Sequence, residues 1–129
     1  MKAIKFPLAG RDHYLAFTGE AMFTLVEKYG EVTNAVAAYE PDTREAMDAA
    51  VEVAVILAEQ GELARRAFGY NPAEIITAEE IKATLTPSDF YALKSAITSA
   101  VVLGFGREVK SDGDVDLGLV ELQSQKKTN

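Results

Sequence analysis

The residues able to act as acids, bases, nucleophiles or metal ligands are few in this chain, and their spacing limits what they could do. His13 is the sole histidine, so a Ser-His-Asp relay or an imidazole general base would have to rest on it alone. It falls in a stretch rich in strand formers beside a turn, where a rim histidine is the expected reading. In "DGDVD", Asp112, Asp114 and Asp116 occupy the first, third and fifth places of a calcium loop. The match stops there. Leu117 stands sixth, where glycine is needed, and Gln123 twelfth, where a bidentate glutamate belongs. An acidic linker accounts for these aspartates better. Glu79 and Glu80 fall in the first turn of an expected helix, where the helix dipole favours acids without any metal. Gly104-Phe-Gly106 lacks the third glycine and the preceding strand of a dinucleotide loop, and no phosphate-binding loop occurs. There is no cysteine, which excludes disulfides and thiolate metal sites. The expectation is a protein with no catalytic residue, no metal and no cofactor, and not an enzyme.

At 129 residues the chain is expected to form one domain with a serviceable core. Its 48% hydrophobic and 26% charged content argues against wholesale disorder. A net charge of −7 argues against binding nucleic acid through phosphates, which needs a clustered basic surface. No basic segment precedes an apolar stretch at the N-terminus, and the apolar run near Val51–Ala58 is interrupted by Glu52 and far too short to span a bilayer. The reading is a cytoplasmic protein that binds neither membrane nor nucleic acid and looks for protein partners.

The elements that must position any working surface follow from periodicity. Ile4, Phe6 and Leu8 alternate with Lys5 and Pro7, and "HYLAF" follows after the turn residues "AGRD", which predicts a β-hairpin over residues 2–17. Pro7 cannot donate to a ladder and points to an edge position. Thr18 is a plausible cap for a helix over 19–29 with Met22, Val26 and Tyr29 on one stripe, and a shorter helix covers 32–39 before Pro41. Asp42 and Glu45 have capping-box spacing ahead of the longest element, whose Met47, Ala50, Val51, Ala54, Val55 and Ala58 form an i, i+3, i+4 stripe. Val53, Ile56 and Leu57 widen that stripe almost all round. Such a helix is either the centre of the fold or covered on a second side by another subunit. Gly61 inside it suggests a kink or a close helix contact. Thr77-Ala-Glu-Glu80 and Thr86-Pro87-Ser-Asp89 open two more helices. The fold class is therefore mainly α with a small N-terminal hairpin (α+β). About five helical segments form a domain over 1–106, and a linker and C-terminal peptide occupy 107–129. That peptide carries Leu117, Leu119, Val120 and Leu122, and it docks either on its own domain or on a partner.

Taken as a whole the chain resembles the tail assembly chaperones of long-tailed bacteriophages and prophages. The likeness is carried by "KAIKFPLAGRDHYLAFT", "ILAEQGELARRAFGY", "LTPSDFYALKSAI" and "VDLGLVELQSQKK", in this order and spacing. The resemblance implies a homo-oligomeric, non-enzymatic protein that coats the tape-measure protein, helps recruit tail-tube subunits and is absent from the finished virion. It also implies a longer form made by ribosomal frameshifting. Lys126-Lys127, which can be encoded AAA-AAA, is a candidate slip site. Periodicity alone suggests Val51, Val55, Leu57, Ile97 and Val101, with Leu117, Leu119, Val120 and Leu122 of the tail, as self-association or client-binding surface. The alternatives are another phage morphogenesis protein or a small helical regulator.

Overall fold

In the computed structural model, residues 1–108 and 113–117 are described. The chain is mainly α-helical, with a small antiparallel sheet at its N-terminus. Strands β1 (Lys2–Leu8) and β2 (Arg11–Leu15) form the expected hairpin. Their two-residue turn places Ala9 at φ 52° and Gly10 at φ 79°. Two positive φ values in succession match the twist of a hairpin, and only the second is held by glycine. Helices α1 (Gly19–Tyr29), α2 (Val32–Tyr39), α3 (Arg44–Ala67), α4 (Ala78–Thr84) and α5 (Pro87–Gly104) follow.

Helices α1, α3, α4 and α5 start where short polar side chains satisfy free backbone N–H groups, whereas α2 starts at Glu31 with no side-chain cap. Thr18 accepts from Ala21 N, and Thr77 and Thr86 each complete a reciprocal capping box, with Glu80 and Asp89. At α3 the cap is Thr43, which accepts from Ala46 N, and not Asp42 as its spacing suggested. Asp42 instead accepts from Tyr91 and Lys94 of α5.

A third strand, β3 (Asp114–Asp116), lies outside β1, so the sheet order is β2-β1-β3. Residues 114–116 are thus a strand of the sheet, where a linker was expected. Their pairing is non-local, with Lys2 opposite Asp116 and Ile4 opposite Asp114, and acidic composition gave no sign of it. Pro7 fits this arrangement. Lys5 N donates to Gly113 O, and two residues on the proline nitrogen faces the same side with no hydrogen to offer.

The sheet buries both faces. Ile4, Leu8 and Leu15 join the main core with Leu25, Val51, Leu57, Ile81, Leu93 and Ile97. Ala3, Tyr14 and Ala16 lie on the opposite face and pack with Tyr70 and Leu117 in a second, smaller cluster. Among the described residues the outer edge of β2 meets no strand. Helix α3 runs against the end of this strand, and Ala16 N donates to Leu57 O at 3.1 Å. Gly61 permits that approach, because a Cβ there would stand 1.5 Å from Tyr14 O. The close contact foreseen at Gly61 is therefore with a strand, not with a helix. On α1 the buried line is Ala21 and Leu25, and the predicted stripe of Met22, Val26 and Tyr29 is half-buried beside it. No described helix is long and apolar enough to cross a membrane.

Candidate interaction surface

Most of the residues proposed from periodicity as an interaction face belong to the chain's own core. Val51, Leu57, Ile97 and Val101 are all buried there, and Val55 is half-buried against them. The reason is geometric. Helix α3 is flanked by α2, α5 and β2, so its apolar circumference is covered from within the chain. These four buried side chains are not available to a client in the folded protein. Leu117 is also buried, in the second cluster. Leu119, Val120 and Leu122 lie outside the described residues.

The accessible apolar surface lies elsewhere. An open groove of about 390 Å³ runs between the first turns of α3 and α5. Met47 and Arg44 form one side, Leu85, Pro87, Phe90 and Tyr91 the other, and Asp42 and the capping residues Thr43 and Thr86 close its polar end. Both helices must begin here, because each opens on a capped threonine and α5 carries proline at its first position. The aromatic wall is fixed by a polar bracket. Lys94 Nζ donates to Glu40 O at 2.8 Å and to Asp42 Oδ1 at 3.1 Å, and it lies 4.6 Å and 4.8 Å from the ring centres of Phe90 and Tyr91. Tyr91 Oη donates to Asp42 Oδ2 at 2.9 Å. Hydrogen bonds from Lys94 and Tyr91 hold the Asp42 carboxyl below its usual range, and the same carboxylate pushes the Tyr91 hydroxyl up. Tyr91 is exposed although it is held in place. A rigid aromatic with an apolar face and a polar tip is the side chain protein interfaces favour.

A second polar constellation stands at the other end of α3. Glu62 and Arg65 are both buried, with Arg65 Nη1 donating to Glu62 Oε1 at 2.6 Å. The Arg65 guanidinium lies 5.3 Å from the ring centres of both Tyr14 and Tyr70. Glu62 Oε2 also accepts from Arg66 Nε and from Ala73 N, each at 2.8 Å. Desolvation pushes the Glu62 carboxyl up. The Ala73 N–H, with Arg66 and Arg65, outweighs it and leaves the group below its usual value. Arg65, Arg66 and Arg11 further donate to the carbonyls of Asn71, Ala73 and Glu74. These contacts pin the segment between α3 and α4 and account for the charges structurally. His13 is buried nearby and shares a polar cavity of about 200 Å³ with Glu62 and Arg65. Its Nε2 is 3.2 Å from Leu8 O, and burial lowers its pKa, so the ring is neutral near pH 7. It is a core histidine rather than the rim residue expected. Among the described residues no three His, Asp or Glu side chains are grouped to hold a metal ion.

Sequence reasoning found Met47 as a helix stripe residue but missed Tyr91, Lys94 and Asp42 as a unit. The available signal was the break at Leu85-Thr86-Pro87 followed, after Ser88 and Asp89, by two adjacent aromatics. Comparison with protein-family models, with curated proteins and with solved structures finds no match.

Proposed function

We propose that this chain is a non-enzymatic tail assembly chaperone of a long-tailed bacteriophage or prophage. In this reading it binds the tape-measure protein in the bacterial cytoplasm, keeps it soluble and helps recruit tail-tube subunits. The observation that supports this reading is the groove between α3 and α5. It is open, chiefly apolar and walled by the fixed rings of Phe90 and Tyr91. Its size suits one or two side chains from the apolar stripe of an amphipathic helix, the recognition mode in which a helix is laid into a hydrophobic groove. A tape-measure protein is a long helical chain that offers such stripes repeatedly. Burial of apolar surface would supply the attraction at roughly 25 cal/mol per Å². The net charge of −7 keeps the chaperone soluble with client bound and favours client helices with basic flanks.

The gene neighbourhood tests this reading. The DNA beyond the codon for Asn129 should carry a frame overlapping at an A-rich slip site near Lys126-Lys127, then a very long helical reading frame. Unrelated metabolic genes at this place would overturn it. Mass spectrometry of purified virions separates the chaperone, which should be missing from the particle, from a connector or terminator subunit, which would be present.

A further inference from the structure

The groove between α3 and α5 does not stop at Tyr91. Beyond this ring a second open cavity, of about 590 Å³, continues along α5, lined by Ser95, Thr98 and Ser99 on one side and by Glu40 and Asp42 on the other. Tyr91 and Asp42 line both cavities, so the two adjoin at the pinned ring and form one channel. Their chemistry differs. The first is walled by Met47, Leu85 and Phe90. The second is polar and carries net negative charge, because two carboxylates, Glu40 and Asp42, share the single ammonium of Lys94. That ammonium is committed to Asp42 Oδ1 and to the Glu40 carbonyl. Among the described residues the Glu40 carboxylate makes no hydrogen bond or ion pair. Pro87 in the first cavity and Ser95 in the second are eight residues apart on α5, which separates the two by about 12 Å along the helix at 1.5 Å per residue.

We infer that this channel takes a single partner helix laid along α5, with an apolar side chain in the first cavity and a lysine or arginine in the second, against the Glu40 carboxylate. The two anchors are seven residues apart on the partner, the nearest spacing to 12 Å that keeps both on one helix face. This inference rests on the reading of the apolar groove as a client-helix site and adds the element that selects among client helices. Apolar stripes recur in every amphipathic helix, so an apolar seat alone discriminates little. A cation two turns from the apolar anchor finds an unpaired carboxylate, whereas an acid at the same place meets like charge and is rejected. The hydroxyls of Ser95 and Ser99 give the long cationic side chain polar surface to cross.

Fluorescein-labelled model helices on an alanine–glutamine background test this against the full chain by fluorescence anisotropy. Each carries two leucines four residues apart and, seven residues beyond the pair on one side or the other, a lysine or a glutamate. In the better of the two orders the lysine peptide should bind about three- to tenfold more tightly than its glutamate counterpart at low salt, and the ratio should shrink as salt rises. Glu40 is exposed, so its substitution leaves the fold intact. Glu40→Gln should bring the ratio near one, and Glu40→Lys should invert it. Phe90→Asp should weaken both peptides alike. Equal binding of lysine and glutamate peptides, with both lost in Phe90→Asp, would overturn the inference and leave the apolar groove standing as a helix site. A preference for lysine as large in Glu40→Lys as in the unsubstituted chain would also overturn it, because the overall charge of −7 would then account for the preference. Binding unaffected by Phe90→Asp, or no binding by any of the peptides, would overturn both.

Discussion

Gly61→Ala sets two effects of opposite sign against each other in the second half of α3. On helix propensity alone the substitution stabilises the protein by about 1 kcal/mol. The structure reverses that sign. The added methyl would stand 1.5 Å from Tyr14 O and 2.6 Å from Tyr14 C, and both are backbone atoms that no rotamer change can move. Restoring ordinary contact requires β2 and α3 to part by about 2 Å, given a contact distance near 3.4 Å. That movement breaks the 3.1 Å bond from Ala16 N to Leu57 O. Ala16 is fully buried, so its N–H would lose its partner at a cost of about 1–3 kcal/mol. Opening the seam beside Leu57 and Ala58 forfeits packing worth about another 1–3 kcal/mol. Less the gain in propensity, the net loss is about 1–5 kcal/mol. For a chain of this size the melting temperature should fall by roughly 5–20 °C, read by circular dichroism. A melting temperature equal to or above that of the unsubstituted protein would refute the packing of β2 on α3.

The other perturbations probe separate parts of the molecule. Glu62→Gln leaves the buried Arg65 without its counter-charge and should lower stability to urea by about 3–5 kcal/mol; a change under 1 kcal/mol would show the pair to be dispensable. The folded-state pKa of Glu62 is depressed below its ordinary value of 4.5, so its contribution is complete above that pH and is lost as pH falls through the folded value. His13 is depressed too, chiefly by burial, so the folded state begins to lose stability as pH drops below about 6.5. Urea midpoints measured between about pH 7 and pH 3 should therefore fall in two stages, and Glu62→Gln should shrink the lower one, to which the Asp42 carboxyl, also held below its usual range, still contributes. Ala9→Asn places a residue tolerant of positive φ at the first turn position and should raise stability by about 0.5–1 kcal/mol, measured by the same urea titration.

Local signals carried much of the architecture. Thr18, Thr77 and Thr86 announce α1, α4 and α5 because a cap and the backbone N–H that donates to it are three residues apart. The hairpin shows because alternation and turn residues are neighbours in sequence. What was not legible depends on partners far along the chain. Asp114–Asp116 reads as a charged linker, since nothing in "DVD" records that Lys2–Ile4 will lie beside it. The stripe through Val51 and Leu57 correctly signals burial, but periodicity does not say whether the covering surface is the same chain or another. Here α2, α5 and β2 cover it. The groove was missed for a related reason. Tyr91 lies off the buried stripe of α5, and its role appears only when Asp42 arrives from before α3, with Tyr91 Oη 2.9 Å from its carboxylate.

The most direct test of the proposed chaperone role is a solubility assay in cells. The chain would be co-expressed with the longest helical protein encoded downstream of it, and the share of that protein in the supernatant measured. Phe90→Asp, which places a charge in the groove wall, serves as the matched variant once its own fold has been verified by circular dichroism. The expected result is that the unsubstituted chain keeps the long protein in solution and co-purifies with it, and that Phe90→Asp does neither. A long protein that remains insoluble beside the unsubstituted chain, or that is rescued equally by Phe90→Asp, would contradict the role assigned to the groove.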